Sequence, residues 1–104
     1  KGIVVDLIGV ADKAARAQQV IGLGAEFVEM HAGLDEQAQE GYSLDSLLTD
    51  GAASGVAFSV AGGVNASSIA AVQASGAQVA VAGSAIYSAD NVGDAAAALC
   101  AAIV

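Results

Sequence analysis

Four short apolar runs punctuate the chain: Gly2–Ile8, Ala25–Met30, Val56–Val60 and Gln78–Ala82. Three are rich in Val or Ile, and none is long enough for a buried helix. Runs this continuously apolar predict strands covered on both faces, as in parallel sheets. Between them the rhythm changes. Asp12–Leu23 carries apolar residues at Ala14, Ala17, Val20 and Ile21, the spacing of one helix face. Ala66–Ala74 and Asp94–Val104 are similar. Leu34–Gly55 is less regular and predicts a loop over Gln37–Ser43 and a helix near Leu44–Asp50. Gly24 and Gly76 each follow a helical pattern, where a left-handed residue ends a helix. Asp12, Asn65 and Asn91 stand where a side chain can cap the helix that follows.

The predicted order is β-α repeated four times, which argues for an α/β fold with a parallel sheet. A complete TIM (β/α)8 barrel takes roughly 200 residues or more. This chain has 104 residues. The expectation is one half-barrel domain over residues 1–104, four βα units with two bare sheet edges that invite association.

Composition sharpens this picture. Apolar residues make up 56% of the chain and aromatics 4%, so the core is expected to use small side chains, Ala above all. The absence of Pro and the even spread of 13 Gly speak against a disordered or low-complexity segment. The net charge is −8, and the only cations are Lys1, Lys13 and Arg16. Nucleic acid and anionic membranes are therefore not expected partners. A small phosphorylated ligand is compatible, because backbone N–H groups hold an anion without Lys or Arg. No apolar run reaches membrane-spanning length, and the start lacks a signal-peptide layout. Cys100 is the only cysteine, which excludes an internal disulfide and fits a reducing, cytoplasmic setting. Its Ala-rich helix predicts a buried structural thiol.

The strongest chemical signal is a pair of glycine turns at strand ends, Val60-Ala61-Gly62-Gly63-Val64-Asn65 and Val81-Ala82-Gly83-Ser84-Ala85-Ile86. Barrel enzymes often build a phosphate site from the loops after their last two strands. Glycine admits the anion close to the backbone, and successive N–H groups hold it. Gly62, Gly63, Gly83 and Ser84 are the candidate phosphate-binding residues; ordinary strand-to-helix turns are the plainer alternative. Gly22-Leu23-Gly24 follows a helix rather than a strand, so it is no dinucleotide loop.

His31, the only histidine, ends the second run. A titrating group at the C-terminal end of a barrel strand reads as catalytic, although a lone imidazole is as often structural. Asp6 lies inside the first apolar run, where a carboxylate needs a partner; it is either a site residue or an acceptor for nearby backbone. Glu29 shares a strand face with His31 and otherwise sits in solvent near the strand end. Asp35, Glu36 and Gln37 read as a solvated loop. Asn65-Ala66-Ser67 matches a glycosylation sequon, which a cytoplasmic chain makes incidental.

Four segments together resemble the 3-hexulose-6-phosphate synthase family: Val4-Val5-Asp6-Leu7-Ile8-Gly9, His31-Ala32-Gly33-Leu34-Asp35-Glu36-Gln37, Ser59-Val60-Ala61-Gly62-Gly63-Val64 and Val81-Ala82-Gly83-Ser84-Ala85-Ile86. They stand in the family's order and spacing, and match the C-terminal half, strands five to eight, of an orotidine-monophosphate-decarboxylase-like barrel. The resemblance implies a lyase that condenses formaldehyde with ribulose 5-phosphate in an aldol reaction, the formaldehyde-fixing step of the ribulose monophosphate pathway. It implies Mg2+, His31 as the proton-transfer residue, Asp6 as an active-site acid, and Gly62, Gly63, Gly83 and Ser84 at the phosphate; the bare sheet edges, for their part, lead to the expectation of a homo-oligomer, a dimer. The sibling 3-keto-L-gulonate-6-phosphate decarboxylase usually carries Glu, Arg, Thr and Arg where this chain has Asp6, Leu34, Ala61 and Ser84. All four take the synthase form here. The family's Asp-x-Lys-x-x-Asp motif, with a metal-binding Asp and the enediolate-stabilising Lys, belongs to strand three and has no match in this chain. The resemblance thus implies that the main metal ligands lie elsewhere and that these residues alone are inactive. Another phosphate-binding barrel reaction and a non-catalytic, self-associating half-barrel are the alternatives.

Overall fold

The computed structural model describes residues 1–104 and contains one sheet of four parallel strands. These are β1 (Val4–Asp6), β2 (Phe27–His31), β3 (Phe58–Ala61) and β4 (Val79–Val81), side by side in chain order. Six helices join or follow them: α1 (Lys13–Gly22), α2 (Leu34–Gln37), α3 (Leu44–Ser54), α4 (Ile69–Ala74), α5 (Ser84–Tyr87) and α6 (Val92–Ala101). None is long and apolar enough to cross a membrane.

The helix starts show what local chemistry sets. Asp12 caps α1 by accepting from Ala15 N at 3.1 Å, and Asn91 caps α6 by accepting from Asp94 N at 2.9 Å. Asn65 behaves differently. Its side-chain oxygen accepts from Ser67 N and Ser68 N, closing a turn, and α4 begins only at Ile69. The helix predicted near Leu44–Asp50 runs on to Ser54 and stops at Gly55, whose φ is +69°. Gly51 stands inside it, where a Cβ would strike the Phe58 ring. The missing side chain lets α3 close on β3.

Strand register separates the two faces of the sheet. Val28, Met30, Phe58 and Val60 point to the helices and form the core with Leu7, Ala17 and other buried side chains. Burying each of the larger ones contributes about 1.5–3 kcal/mol. The opposite face carries Val4, Asp6, Phe27, Glu29, His31, Ser59, Ala61, Val79 and Val81, aligned across the strands by the pairings Asp6–Glu29, Glu29–Ser59 and His31–Ala61 and their neighbours. No helix packs on it. Val4, Val79 and Val81 are 47%, 46% and 43% exposed, so the expectation of strands covered on both faces is corrected. Ser59 and Ala61 are buried on this face because they are short and lie between taller side chains on either side.

Cys100 is also corrected. It is exposed, since α6 turns Leu99 inward and the next residue lies about 100° further round the helix.

Candidate active site

At the C-terminal end of the strands, β1 and β2 finish on Asp6 and His31. Both residues stand on the open face. His31 Nδ1 lies 3.0 Å from Asp6 Oδ2 and 3.1 Å from Oδ1. Asp6 Oδ1 also accepts from Ile8 N at 2.9 Å. Burial draws the Asp6 carboxyl upward, but the hydrogen bonds from His31 and the Ile8 amide, with the imidazole's charge, prevail and lower its pKa. An ionised carboxylate only accepts. In this contact Nδ1 is therefore the donor whether the ring is neutral or protonated, and in the neutral tautomer the lone pair sits on Nε2. Of the two roles open to Asp6 in the sequence, its bond from Ile8 N is that of a backbone acceptor, and its contact with His31 sets it beside the cleft. It is, however, exposed at the strand end rather than sunk in an apolar strand.

Glu29 is half-buried, not fully solvated. Its Oε2 lies 3.7 Å from His31 Nδ1, and its Oε1 is 3.4 Å from the Ser59 hydroxyl. Desolvation, then the nearby charge of Asp6, raise its pKa. Asp6, Glu29 and His31 each offer a ligand atom, all within 4.8 Å of one another.

The glycine turns flank the same region. A cleft of about 250 Å³ is lined by His31, Gly62, Gly63, Gly83 and Ser84 among others. Gly62 and Gly63 have φ of +107° and +83°, in the left-handed region that favours glycine. A Cβ on Gly62 would run into the carbonyl oxygen of Ala32. Gly83 differs: its φ is −110°, and only a Tyr87 ring carbon lies near its Cβ position, at 3.4 Å. The N–H groups of Gly62, Gly63 and Gly83 donate to no protein acceptor. The five residues predicted for proton transfer and phosphate thus share one cleft, and Asp6 joins it through its bond to His31.

Two features were not legible in sequence. Asp35, Glu36 and Gln37 belong to helix α2 rather than a loop. Glu36 holds the buried ammonium of Lys13 at 3.0 Å, while Lys13 also donates to Val10 O. Gln37 turns back to donate to Ala32 O at 2.8 Å. The one available signal was the pair of acids after Gly33, which suit the first turn of a helix.

No protein-family model matches the chain. Among curated proteins, the 3-hexulose-6-phosphate synthase of Mycobacterium gastri is 65% identical over 89 residues, 86% of this chain and 43% of its own length. That of Methylomonas aminofaciens is 46% identical over 86 residues, 82% of this chain and 41% of its own. A crystal structure of 3-hexulose-6-phosphate synthase superposes on the entire chain with a TM-score of 0.96 and 62% identity, using 50% of its own length. The synthase from Salmonella typhimurium covers 98% of the chain with a TM-score of 0.84 and 30% identity, using 49% of its own length. The chain spans about half the length of the relatives it matches, and its fold is α/β, four βα units equal to half of a (β/α)8 barrel chain. Along its whole length it is related, in sequence and in fold, to half of a 3-hexulose-6-phosphate synthase.

Proposed function

We propose that this chain supplies the phosphate grip and the proton-transfer histidine of a lyase that joins formaldehyde to ribulose 5-phosphate, giving 3-hexulose 6-phosphate. The observation that carries the reading is the shared cleft: His31, braced by Asp6, faces the same space as both glycine turns. In the reaction a proton leaves C1 of ribulose 5-phosphate, that carbon bonds to the formaldehyde carbon, and the formaldehyde oxygen takes up a proton. His31 Nε2, with its free lone pair, is the group that moves a proton on this side of the site. Asp6 keeps the ring in that tautomer and stabilises the imidazolium once it has formed. The N–H groups of Gly62, Gly63, Gly83 and Ser84 hold the phosphate at the far end of the substrate, and the Ser84 hydroxyl adds a donor.

The donors of the Asp6–Glu29–His31 cluster test the case for Mg2+. The two carboxylates are of the hard oxygen type that the ion takes, but near-octahedral coordination needs six ligands. Asp6 and Glu29 would hold one side of it, and by the family resemblance its main ligands would come from residues outside this chain. When bound, the cation neutralises negative charge developing on the substrate oxygens.

A full-length barrel containing these residues is expected to form 3-hexulose 6-phosphate from formaldehyde and ribulose 5-phosphate, and the 104-residue chain alone to show no turnover. A rate in the chain alone close to that of the full barrel would overturn this assignment.

The open sheet face favours a second property. Three half-exposed valines and two bare edges leave apolar surface and backbone groups without partners. Copies of the chain are expected to associate, and sedimentation velocity at micromolar concentration should find dimers or larger species. A compact monomer that unfolds cooperatively would contradict this.

A further inference from the structure

Ala32 links the two parts of the cleft. It follows His31 directly and has no exposed surface. Its N–H donates to Ala61 O at 3.2 Å, carrying the β2–β3 ladder one residue past His31. Its carbonyl oxygen accepts from no backbone donor; its one partner is Gln37 Nε2 at 2.8 Å. The same oxygen occupies the space that a Cβ on Gly62 would need. The other end of the Gln37 amide, Oε1, lies 3.2 Å from the Cβ position of Gly63. One side chain thus spans the gap between the strand end that bears His31, to which it donates, and the Gly62–Gly63 turn, where its oxygen stands beside the space that a Gly63 side chain would fill. Its base is fixed as well, because the preceding residue, Glu36, is tied to the buried Lys13 at the start of α1.

We propose that Gln37 is a positioning residue that sets the spacing between the His31 strand end and the Gly62–Gly63 turn. Its effect on ligand binding rests on the phosphate reading above; its effect on the geometry does not. A planar amide suits the task, since one end must donate while the other stays unprotonated against the glycine backbone. Methionine matches the length without a donor. Glutamate matches the shape, but at neutral pH it sets a carboxylate against the Ala32 carbonyl.

The test compares Gln37→Met and Gln37→Glu with the wild-type full chain. The amide resonances of Gly62 and Gly63 and the ring nitrogens of His31 are followed by NMR, and inorganic phosphate is titrated into each protein. Both variants should retain helical circular dichroism, shift all three sets of resonances, and bind phosphate about tenfold more weakly, the scale of one misaligned hydrogen bond to a charged group. Unchanged resonances and phosphate affinity, with only the melting temperature lowered, would make Gln37 a purely structural residue and overturn the proposal. Failure of both variants to fold where the wild type folds would overturn it too. If the wild type binds no phosphate, the phosphate reading falls, and the resonances alone decide the role of Gln37.

Discussion

Replacing His31 by Asn in a full-length barrel carrying this chain is expected to lower kcat roughly 10²–10⁴-fold, the cost of losing a positioned acid or base. Asparagine keeps an amide within reach of Asp6, so the strand end should hold its shape. It has no second ring nitrogen, and its amide serves as neither acid nor base in the working pH range. KM should change little, because the proposed phosphate grip lies on the Gly62–Gly63 and Gly83–Ser84 turns and needs nothing from the imidazole. Steady-state rates with formaldehyde and ribulose 5-phosphate decide the matter. A kcat close to wild type would remove His31 from proton transfer, and a raised KM at constant kcat would make it a binding residue instead.

Gly62→Val should abolish phosphate binding. The backbone at Gly62 has φ +107°, which strains any L-residue, and a branched one most. Such strain costs on the order of 1–3 kcal/mol. The collision of the new Cβ with the buried Ala32 carbonyl adds to it, so the turn must move. Gly83→Val separates loss of the site from loss of the fold. Its φ of −110° is negative although its ψ of −90° lies outside the main allowed regions, and 3.4 Å to the Tyr87 ring is normal van der Waals contact, so Val strains the backbone less there than at Gly62. That variant should fold and still lose phosphate, because the added methyl groups occupy the cleft. Titration followed by phosphorus NMR gives the answer, and equal affinity in both variants and the wild type would place the anion elsewhere.

The elements were legible in the sequence because each is declared locally. The four apolar runs became β1 to β4 within a few residues, and Asp12 and Asn91 formed the caps their positions announced. The cleft was legible for a related reason. Strand-end glycines and a strand-end histidine gather on one rim of any parallel sheet built in chain order. What stayed hidden depends on pairs far apart in sequence. Lys13 and Glu36 are 23 residues apart, and nothing near either one announces the other. The helix expected near Leu44–Asp50 falls short of Ser54, and the Phe58 ring against which Gly51 packs arrives only with the next strand. Coverage of the sheet was misjudged for a deeper reason. Continuous apolar strands report what the second face is suited to touch, and here no helix of this chain touches it.

That uncovered face bears on how stability varies with temperature. The heat-capacity change of unfolding follows the apolar surface newly exposed to water, and it bends the stability curve into a dome. In the isolated chain, Val4, Val79 and Val81 are already half hydrated, so they add little to that change. The dome is flatter than for a closed domain of equal length. Cooling would therefore weaken the isolated chain less steeply, and burying the face would restore the curvature along with the dry surface.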